Sequence, residues 1–117
     1  WFETGFVTYS NEAKQRLLGV SADSLRQYGA VSEAVVHEMA AGARRAADAD
    51  YALSISGIAG PDGGSPEKPV GTVCFGLADR QTTYARTARF NGNRDEIRRQ
   101  AVDFALAFLN ETLSSAQ

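Results

Sequence analysis

The sequence predicts an α/β protein, a three-layer α/β/α sandwich in which helices cover both faces of a mixed sheet. Helical and β-prone segments alternate early in the chain, and two β-prone segments follow each other late, like a hairpin. Apolar residues at 72–78 do not alternate with polar ones, as expected for a strand that is covered on both faces. With 117 residues, the chain suffices for one domain with one core, which we assign to 1–117.

The first half of the chain contains one predicted strand and three predicted helices. Residues 6–9 are β-branched and aromatic, which indicates a strand, and a short helix follows over 12–18. A second short helix opens at Ser21 or Asp23 and ends at Gly29, and Ser32 caps a longer one that reaches about residue 47. That longer helix carries an apolar stripe at helical spacing, formed by Val35, Val36, Met39, Ala40 and Ala43.

The second half predicts three strands and a final helix. The strands are expected at 51–58, 72–78 and 83–90, the last of them polar and typical of an antiparallel edge strand. Asn93 and Glu96 have the spacing of a capping box, so the last helix begins there. We expect it to bury Ile97, Ala101, Phe104, Ala105, Phe108 and Leu109, and we expect the tail from Ser114 onwards to fray.

Composition narrows the classes of function. The net charge of −2 provides no basic field for nucleic acid, and no apolar run approaches the roughly 20 residues that span a bilayer. The single cysteine, Cys74, suits a reducing cytoplasm and lies in a strand, where a buried packing role is expected. The single histidine, His37, falls on the polar face of its helix. With one cysteine and one histidine, no metal cluster or histidine-based catalytic group is expected.

The segment 57–72, between two predicted buried strands, contains five glycines and three prolines. A loop of this length is either disordered or functional. Prolines restrict the chain, and glycines expose backbone N–H groups that can form an anion-binding nest. An ordinary connector is the alternative interpretation. Asp62 and Glu67 in this loop could at most bind a cation weakly.

Lys14 follows a strand-to-helix turn, the kind of place that borders a ligand crevice in α/β sheets. It lies four residues after Ser10, but Ser10 is better placed as a helix cap than as a nucleophile. Near a helix N-terminus and apolar walls, the charged form of Lys14 would be disfavoured and the amine could act as a base. A solvated lysine paired with an acid is the alternative, and residue types alone favour it.

Arg94 opens the last helix, and Arg98 and Arg99 follow within two turns. Cations at a helix N-terminus oppose its dipole. They are better explained if an anion docks there, because free N–H groups and a guanidinium both suit phosphate. A mixed-charge solvated surface is the alternative.

Five segments together resemble the CinA C-terminal domain family, whose stand-alone bacterial members are nicotinamide-nucleotide amidohydrolases of the PncC type. The resemblance runs from Trp1 to the end of the last helix. The segments are FVTYSNEAK at 6–14, GAVS at 29–32, SGIAGPDGG at 56–64, KPVGTV at 68–73 and FNGNR at 90–94. Each motif is weak alone, and their order makes the resemblance specific.

The resemblance implies hydrolysis of the carboxamide of nicotinamide mononucleotide to nicotinic acid mononucleotide and ammonia. This would recycle pyridine nucleotide in the cytoplasm, without metal or cofactor. It implies acyl transfer by a serine that is activated by a lysine and a tyrosine, which fall on Lys14 and Tyr9. The anion arguments add candidates for substrate binding at the loop and the last helix, namely Ser56, Gly57, Gly60, Gly63, Gly64 and Arg94. Ser56-Gly57 stands where many relatives have Thr-Gly, a change that keeps the hydroxyl.

One departure from the family pattern affects the catalytic expectation. The family's nucleophile lies in a Ser-Cys-Thr-Gly-Gly segment, which this sequence does not contain. We therefore expect an N-terminally incomplete domain that has little catalysis by itself. A missing strand would leave a sheet edge unpaired, so a homo-oligomer, with a dimer favoured, is expected. The small-molecule substrate is the only other expected partner, with neither nucleic acid nor membrane. Alternatives are a non-catalytic pyridine-nucleotide-binding or regulatory domain and an oligomerisation domain.

Overall fold

A computed structural model describes residues 14–15, 18–57 and 68–115. Three helices and three strands have defined bounds there: α1 (Ala22–Tyr28), α2 (Glu33–Ala47), β1 (Ala52–Gly57), β2 (Thr72–Ala78), β3 (Thr83–Arg89) and α3 (Arg94–Ser115). Lys14, Gln15 and Leu18 are also helical, as predicted for 12–18. The predicted strand at 6–9 lies outside the described residues.

The helix ends are set by local hydrogen bonds that the sequence predicted. The hydroxyl of Ser21 accepts from the Ser24 N–H, and the hydroxyl of Ser32 accepts from the Val35 N–H. Gly29 ends α1 with a φ of +80°, which residues with a side chain rarely adopt. At α3 the capping box is reciprocal. Its two bonds are Asn93 N–H to Glu96 Oε1 at 3.0 Å and Glu96 N–H to Asn93 Oδ1 at 2.9 Å.

The described strands form one sheet in the order β1-β2-β3, and both pairings are antiparallel. The mixed sheet that we predicted would need a further, parallel strand, and the segment expected to provide one is not described. All seven residues of the central strand β2 are buried. Apolar and polar residues do not alternate in β2 because helices cover both of its faces, as predicted.

Each face of the sheet packs against its own helix. On one face, Val73, Phe75 and Leu77 of β2 contact α3, whose buried residues are Ile97, Ala101, Ala105, Phe108 and Leu109. On the other, Cys74 packs with Val35, Val36 and Met39 of α2, joined by Leu18 and Val20 from the preceding segment. The predicted three-layer sandwich and the predicted apolar stripes of α2 and α3 are confirmed.

Element ends differ from the prediction in three places. Strand β1 begins at Ala52 rather than at residue 51. Strand β3 ends at Arg89, and the Phe90 N–H, at the next position of the same register, donates to the Gly71 carbonyl at 2.9 Å. The expected fraying from Ser114 is wrong for Ser114 and Ser115, which continue α3. None of the described helices is both long and apolar enough to cross a membrane.

Candidate functional site

One end of the sheet collects most of the predicted site residues in the described part of the chain. It is formed by the C-terminal end of β1, the N-terminal end of β2 and the C-terminal end of β3, because Gly57 pairs with Val73 and Thr72 pairs with Arg89. Both ends of the glycine-rich loop emerge there, so we call it the loop end. The opposite end carries the turn from β2 to β3.

Both long helices begin at the loop end. Glu33, the first residue of α2, accepts a hydrogen bond from the Thr87 hydroxyl of β3 at 2.7 Å. Helix α3 starts five residues after Arg89, and the Phe90–Gly71 bond holds its approach against the start of β2. Two positive helix ends therefore flank the two ends of the loop, an arrangement that favours an anion.

A row of polar side chains crosses the sheet on the α2 side of the loop end. Ser56, Cys74 and Thr87 are opposite one another in the register of the three strands. The Cys74 sulfur lies 3.5 Å from the Thr87 hydroxyl, which in turn bonds Glu33. Ser56 is half-buried, and its strand position directs it to the same face as Ser54.

Cys74 is a packing residue, as predicted. It is 2% exposed, and burial raises the pKa of its thiol. The Thr87 hydroxyl lowers that pKa and Glu33 raises it, both less than burial does. A thiol whose charged form is disfavoured is a poor nucleophile at neutral pH.

Lys68, at the exit of the loop, ties the loop end to the α1–α2 connection. Its ammonium group donates to the Tyr28 carbonyl and lies close to Gly29. It also lowers the pKa of Cys74, which shows that its charge acts on the polar row. The exit of the loop at Lys68 therefore contacts the connection between α1 and α2.

Lys14 is an ionisable residue that is buried in the described part of the chain. It is 7% exposed, and burial lowers the pKa of its ammonium group. Neither an acid nor a carbonyl of the described residues accepts a hydrogen bond from its Nζ. The interpretation of Lys14 as a solvated surface lysine is wrong, since the residue is buried, and no acid of the described residues pairs with it. Its segment packs on the α2 side of the sheet, through Leu18 and Val20, which is the side of Lys68 and Cys74.

Arg94 is exposed at the first turn of α3, and Arg98 and Arg99 are exposed in the second turn. Its guanidinium makes no hydrogen bond or ion pair with the described part of the chain. His37 is exposed on α2, as predicted. Ser56, Gly57 and Arg94 thus lie at the loop end. Lys14 lies in the segment that packs on the α2 side of the sheet, through Leu18 and Val20.

Several predicted site residues are not tested by the structure. Tyr9, Gly60, Gly63 and Gly64 lie outside the described residues, as do Ser10, Asp62 and Glu67. Their assignment to catalysis, phosphate binding or weak cation binding stays a prediction. Across residues 14–15, 18–57 and 68–115, no group of three His, Cys, Asp or Glu side chains could hold a metal ion.

The sequence analysis missed the bond from Glu33 to Thr87 and the contact of Lys68 with Tyr28. Glu33 stands 54 residues from Thr87, and Lys68 stands 40 residues from Tyr28. The only local signal was the position of each residue, at a helix start and at a loop exit. Such a position indicates that a charge lies near a chain turn, but it does not identify the residue that the charge contacts.

The opposite end of the sheet is a different kind of surface. A shallow depression there is lined by Asp50, Tyr51, Asp79, Arg80 and Gln81. Arg80 is paired with Asp50 at 2.9 Å and with Asp48 at 3.4 Å. Because those charges neutralise one another at an open surface, this depression is a weaker candidate for a substrate site.

Comparisons with known proteins agree with the geometry. The CinA C-terminal domain profile matches residues 1–113. The nicotinamide-nucleotide amidohydrolase PncC of Escherichia coli K12 is 63% identical over 110 residues, which are 93% of this chain and 67% of that protein. A CinA-like protein of Geobacter sulfurreducens is 52% identical over 116 residues, covering 99% of this chain and 28% of that protein.

Solved structures show the same fold. The competence damage-inducible protein A (ComA) of Klebsiella pneumoniae matches with a TM-score of 0.90 and 43% identity, over 98% of this chain and 71% of that one. The competence or damage-inducible protein of Enterobacter asburiae matches with a TM-score of 0.87 and 45% identity, over 95% and 70%. The chain spans about two thirds of the length of the PncC relatives. It belongs to the CinA C-terminal domain family.

Proposed function

We propose that the protein to which this chain belongs hydrolyses the carboxamide of nicotinamide mononucleotide, in the recycling of pyridine nucleotide in the cytoplasm. The products are nicotinic acid mononucleotide and ammonia. The single observation that carries the proposal is Lys14, a residue only 7% exposed, whose amine has a pKa lowered by burial. The names of the PncC relatives supply the substrate class.

The chemistry requires a nucleophile, a base and an acyl intermediate. A serine from the upstream segment of the family attacks the amide carbon, and the neutral amine of Lys14 takes the hydroxyl proton. The proton then passes to the departing nitrogen, which leaves as ammonia. Water attacks the acyl-serine and releases the carboxylate, with the serine oxygen taking back a proton. Tyr9 assists these transfers, as the resemblance implies.

Burial supports the role of Lys14 as a base. An exposed lysine is almost entirely protonated at neutral pH, because its ordinary pKa is about 10.4. Removal from water disfavours the charged form, so a larger fraction of the amine is neutral and able to accept a proton. Since no described acid pairs with the ammonium, nothing in the described chain offsets that effect.

The loop end supports binding of the phosphate. The first turns of α2 and α3 flank it, and the guanidinium of Arg94, which pairs with no acid of the described residues, lies at one of them. We assign the ribose phosphate to Arg94 and the loop glycines Gly60, Gly63 and Gly64, and the nearby pyridine ring to Ser56 and Gly57. The loop glycines Gly60, Gly63 and Gly64 act on the phosphate through their backbone N–H groups.

The test is ammonia release by the protein carrying the upstream serine segment, with nicotinamide mononucleotide as substrate. We expect Lys14→Ala to abolish most turnover while the circular dichroism spectrum stays unchanged. Lys14→Arg should be equally inactive, because a guanidinium keeps the charge but cannot serve as a base at this pH. Gln15→Ala, at the exposed neighbour, is the matched control and should retain activity.

Three outcomes would contradict the proposal. Undiminished turnover by Lys14→Ala would remove the lysine from the chemistry. Saturable calorimetric binding of the nucleotide without ammonia release would indicate a non-catalytic binding domain. If the protein neither binds nor hydrolyses the nucleotide, an oligomerisation role remains. Sedimentation should then show a homodimer, which we also propose for the amidohydrolase.

A further inference from the structure

Gly42 marks the place where the segment that carries Lys14 comes closest to α2. A methyl group built on Gly42 would lie 1.7 Å from the carbonyl oxygen of Leu18 and 2.6 Å from its carbonyl carbon. Real side-chain carbons do not approach other atoms that closely. The Leu18 carbonyl therefore rests directly on the backbone of α2, and only glycine at position 42 permits this contact.

The backbone conformation of α2 does not itself require glycine at this position. Gly42 is buried in the middle of a regular helix, and its φ is not positive. Glycine costs a helix interior about 1 kcal/mol relative to alanine. Alanines stand on both sides of it, at Ala41 and Ala43, so helix stability alone would favour alanine here as well. The contact with Leu18 therefore explains why residue 42 is glycine.

Lys14 is rigidly connected to this contact. It lies one helical turn before Leu18, and its carbonyl accepts the Val20 N–H at 3.1 Å. Leu18 and Val20 are 6% and 3% exposed and belong to the core cluster on the α2 face. A shift of the Leu18 backbone would therefore carry the Lys14 backbone with it.

Two charged groups of α2 face the turn after Leu18. The Arg45 guanidinium lies beside Gly19, 3.8 Å from where its Cβ would be, and the Glu38 carboxylate accepts the Ser21 N–H at 3.0 Å. Neither contributes to the lowered pKa of Lys14, whose cause is burial. How closely Leu18 docks on α2 therefore affects where the backbone of Lys14 lies.

We propose that Gly42 is a positioning residue for Lys14: it lets the Leu18 backbone dock on α2 at contact distance and so sets the position of Lys14, one helical turn earlier. This inference rests on the proposed function, in which Lys14 is the base. A side chain at position 42 would push the segment away by on the order of an ångström, and a displacement of that size can cost about 100-fold in rate.

The experiment compares Gly42→Ala with Ala41→Gly in the protein carrying the upstream segment. We expect Gly42→Ala to lower kcat by about 100-fold with little change in KM, because the groups proposed to hold the phosphate lie at the loop end. Ala41→Gly costs α2 a similar amount of helix stability without touching Leu18, so its kcat should stay near that of the unaltered protein.

A second measurement does not depend on activity. Lys14 and Lys68 are the two lysines of this chain, so carbon-13 labelled lysine and NMR titration can follow the Lys14 amine, assigned by its loss in Lys14→Met. Gly42→Ala should raise the pKa of Lys14 toward its ordinary value, and Ala41→Gly should not. The acid-side limb of the rate–pH profile, on which the base loses its proton, should move in the same direction.

The outcomes separate the two proposals. No ammonia from the unaltered protein sinks the proposed function, and the NMR titration still decides on Gly42. Normal kcat together with an unchanged Lys14 pKa in Gly42→Ala overturns the positioning role. If Gly42→Ala does not fold, Leu18→Ala replaces it, with Leu25→Ala in the same cluster as control. Equal kcat and equal Lys14 pKa in those two variants also overturn it.

Discussion

The two faces of the sheet carry different kinds of side chains. The α3 face is aromatic, with the Phe75 ring 4.5 Å from that of Phe104 and 6.3 Å from that of Phe90, centre to centre. The α2 face is made of small and polar residues, among them Ser54, Cys74 and Gly76. Strand β2 shows the difference by itself, because its alternate residues Phe75 and Cys74 face opposite sides of the sheet.

The difference lies in what approaches the sheet. On the α3 face, side chains interdigitate, and the Arg86 guanidinium stacks 4.6 Å from the ring centre of Phe108 while pairing with Glu111. On the α2 face the backbone itself comes close, and a methyl group on Gly76 would lie 2.2 Å from the Val36 carbonyl oxygen. One face thus stabilises the fold, and the other brings backbone and polar groups together where we place the chemistry.

The largest expected effect separates the two faces by stability. Phe75→Ala in the full-length protein should cost about 3–5 kcal/mol of unfolding free energy, because it empties the centre of the aromatic face. Cys74→Ala, the neighbour that faces α2, should cost much less, since a single sulfur is removed. Urea unfolding monitored by circular dichroism measures both, and equal losses would contradict the contrast.

A second prediction concerns the one place where the α3 layer is expected to meet substrate. Arg94→Ala should raise KM by at least about tenfold and leave kcat nearly unchanged, because a charged hydrogen bond to phosphate is lost in both ground and transition states. Arg98→Ala, also exposed and one turn further along α3, is the control. Steady-state kinetics measures both, and a dominant fall in kcat would argue against phosphate holding.

A third, smaller effect is expected where α2 touches the sheet. The buried Ser54 hydroxyl donates to the Val36 carbonyl at 2.7 Å. Ser54→Ala should therefore cost about 1 kcal/mol in urea unfolding. Ser114→Ala, which removes the hydroxyl of an exposed residue, serves as the control. An unchanged midpoint for Ser54→Ala would mean that this polar contact adds nothing to the packing of α2.

The smallest expected change is a gain in stability. Lys14 has a lowered pKa when folded, so protons bind the unfolded chain more tightly and stability rises with pH between the folded and unfolded pKa values. Lys14→Met should be more stable than the unaltered protein at pH 7, and this advantage should shrink as the pH approaches the unfolded pKa of about 10.4. Urea unfolding at pH 7 and pH 9.5 tests the sign, and a constant or growing advantage would contradict it.

Much of the site was beyond prediction from residue types. The pattern around Lys14 favoured a solvated, acid-paired lysine, and only packing shows that its ammonium is buried without a described partner. The Glu33–Thr87 bond joins residues far apart in sequence. Gly42 stood in an alanine-rich helix as an apparently weak helix former, and its contact with Leu18 exists only because another segment crosses there.

The sequence by itself determined the elements, most of their ends and their layers. Caps such as Ser32 and Asn93 act through bonds that span three residues, and helical spacing names the buried stripe of α2, so both can be read locally. Tertiary structure alone decided the burial of Lys14, the meeting of two helix starts at the loop end and the role of Gly42. Those properties depend on which backbones approach each other, and distance along the chain does not encode that.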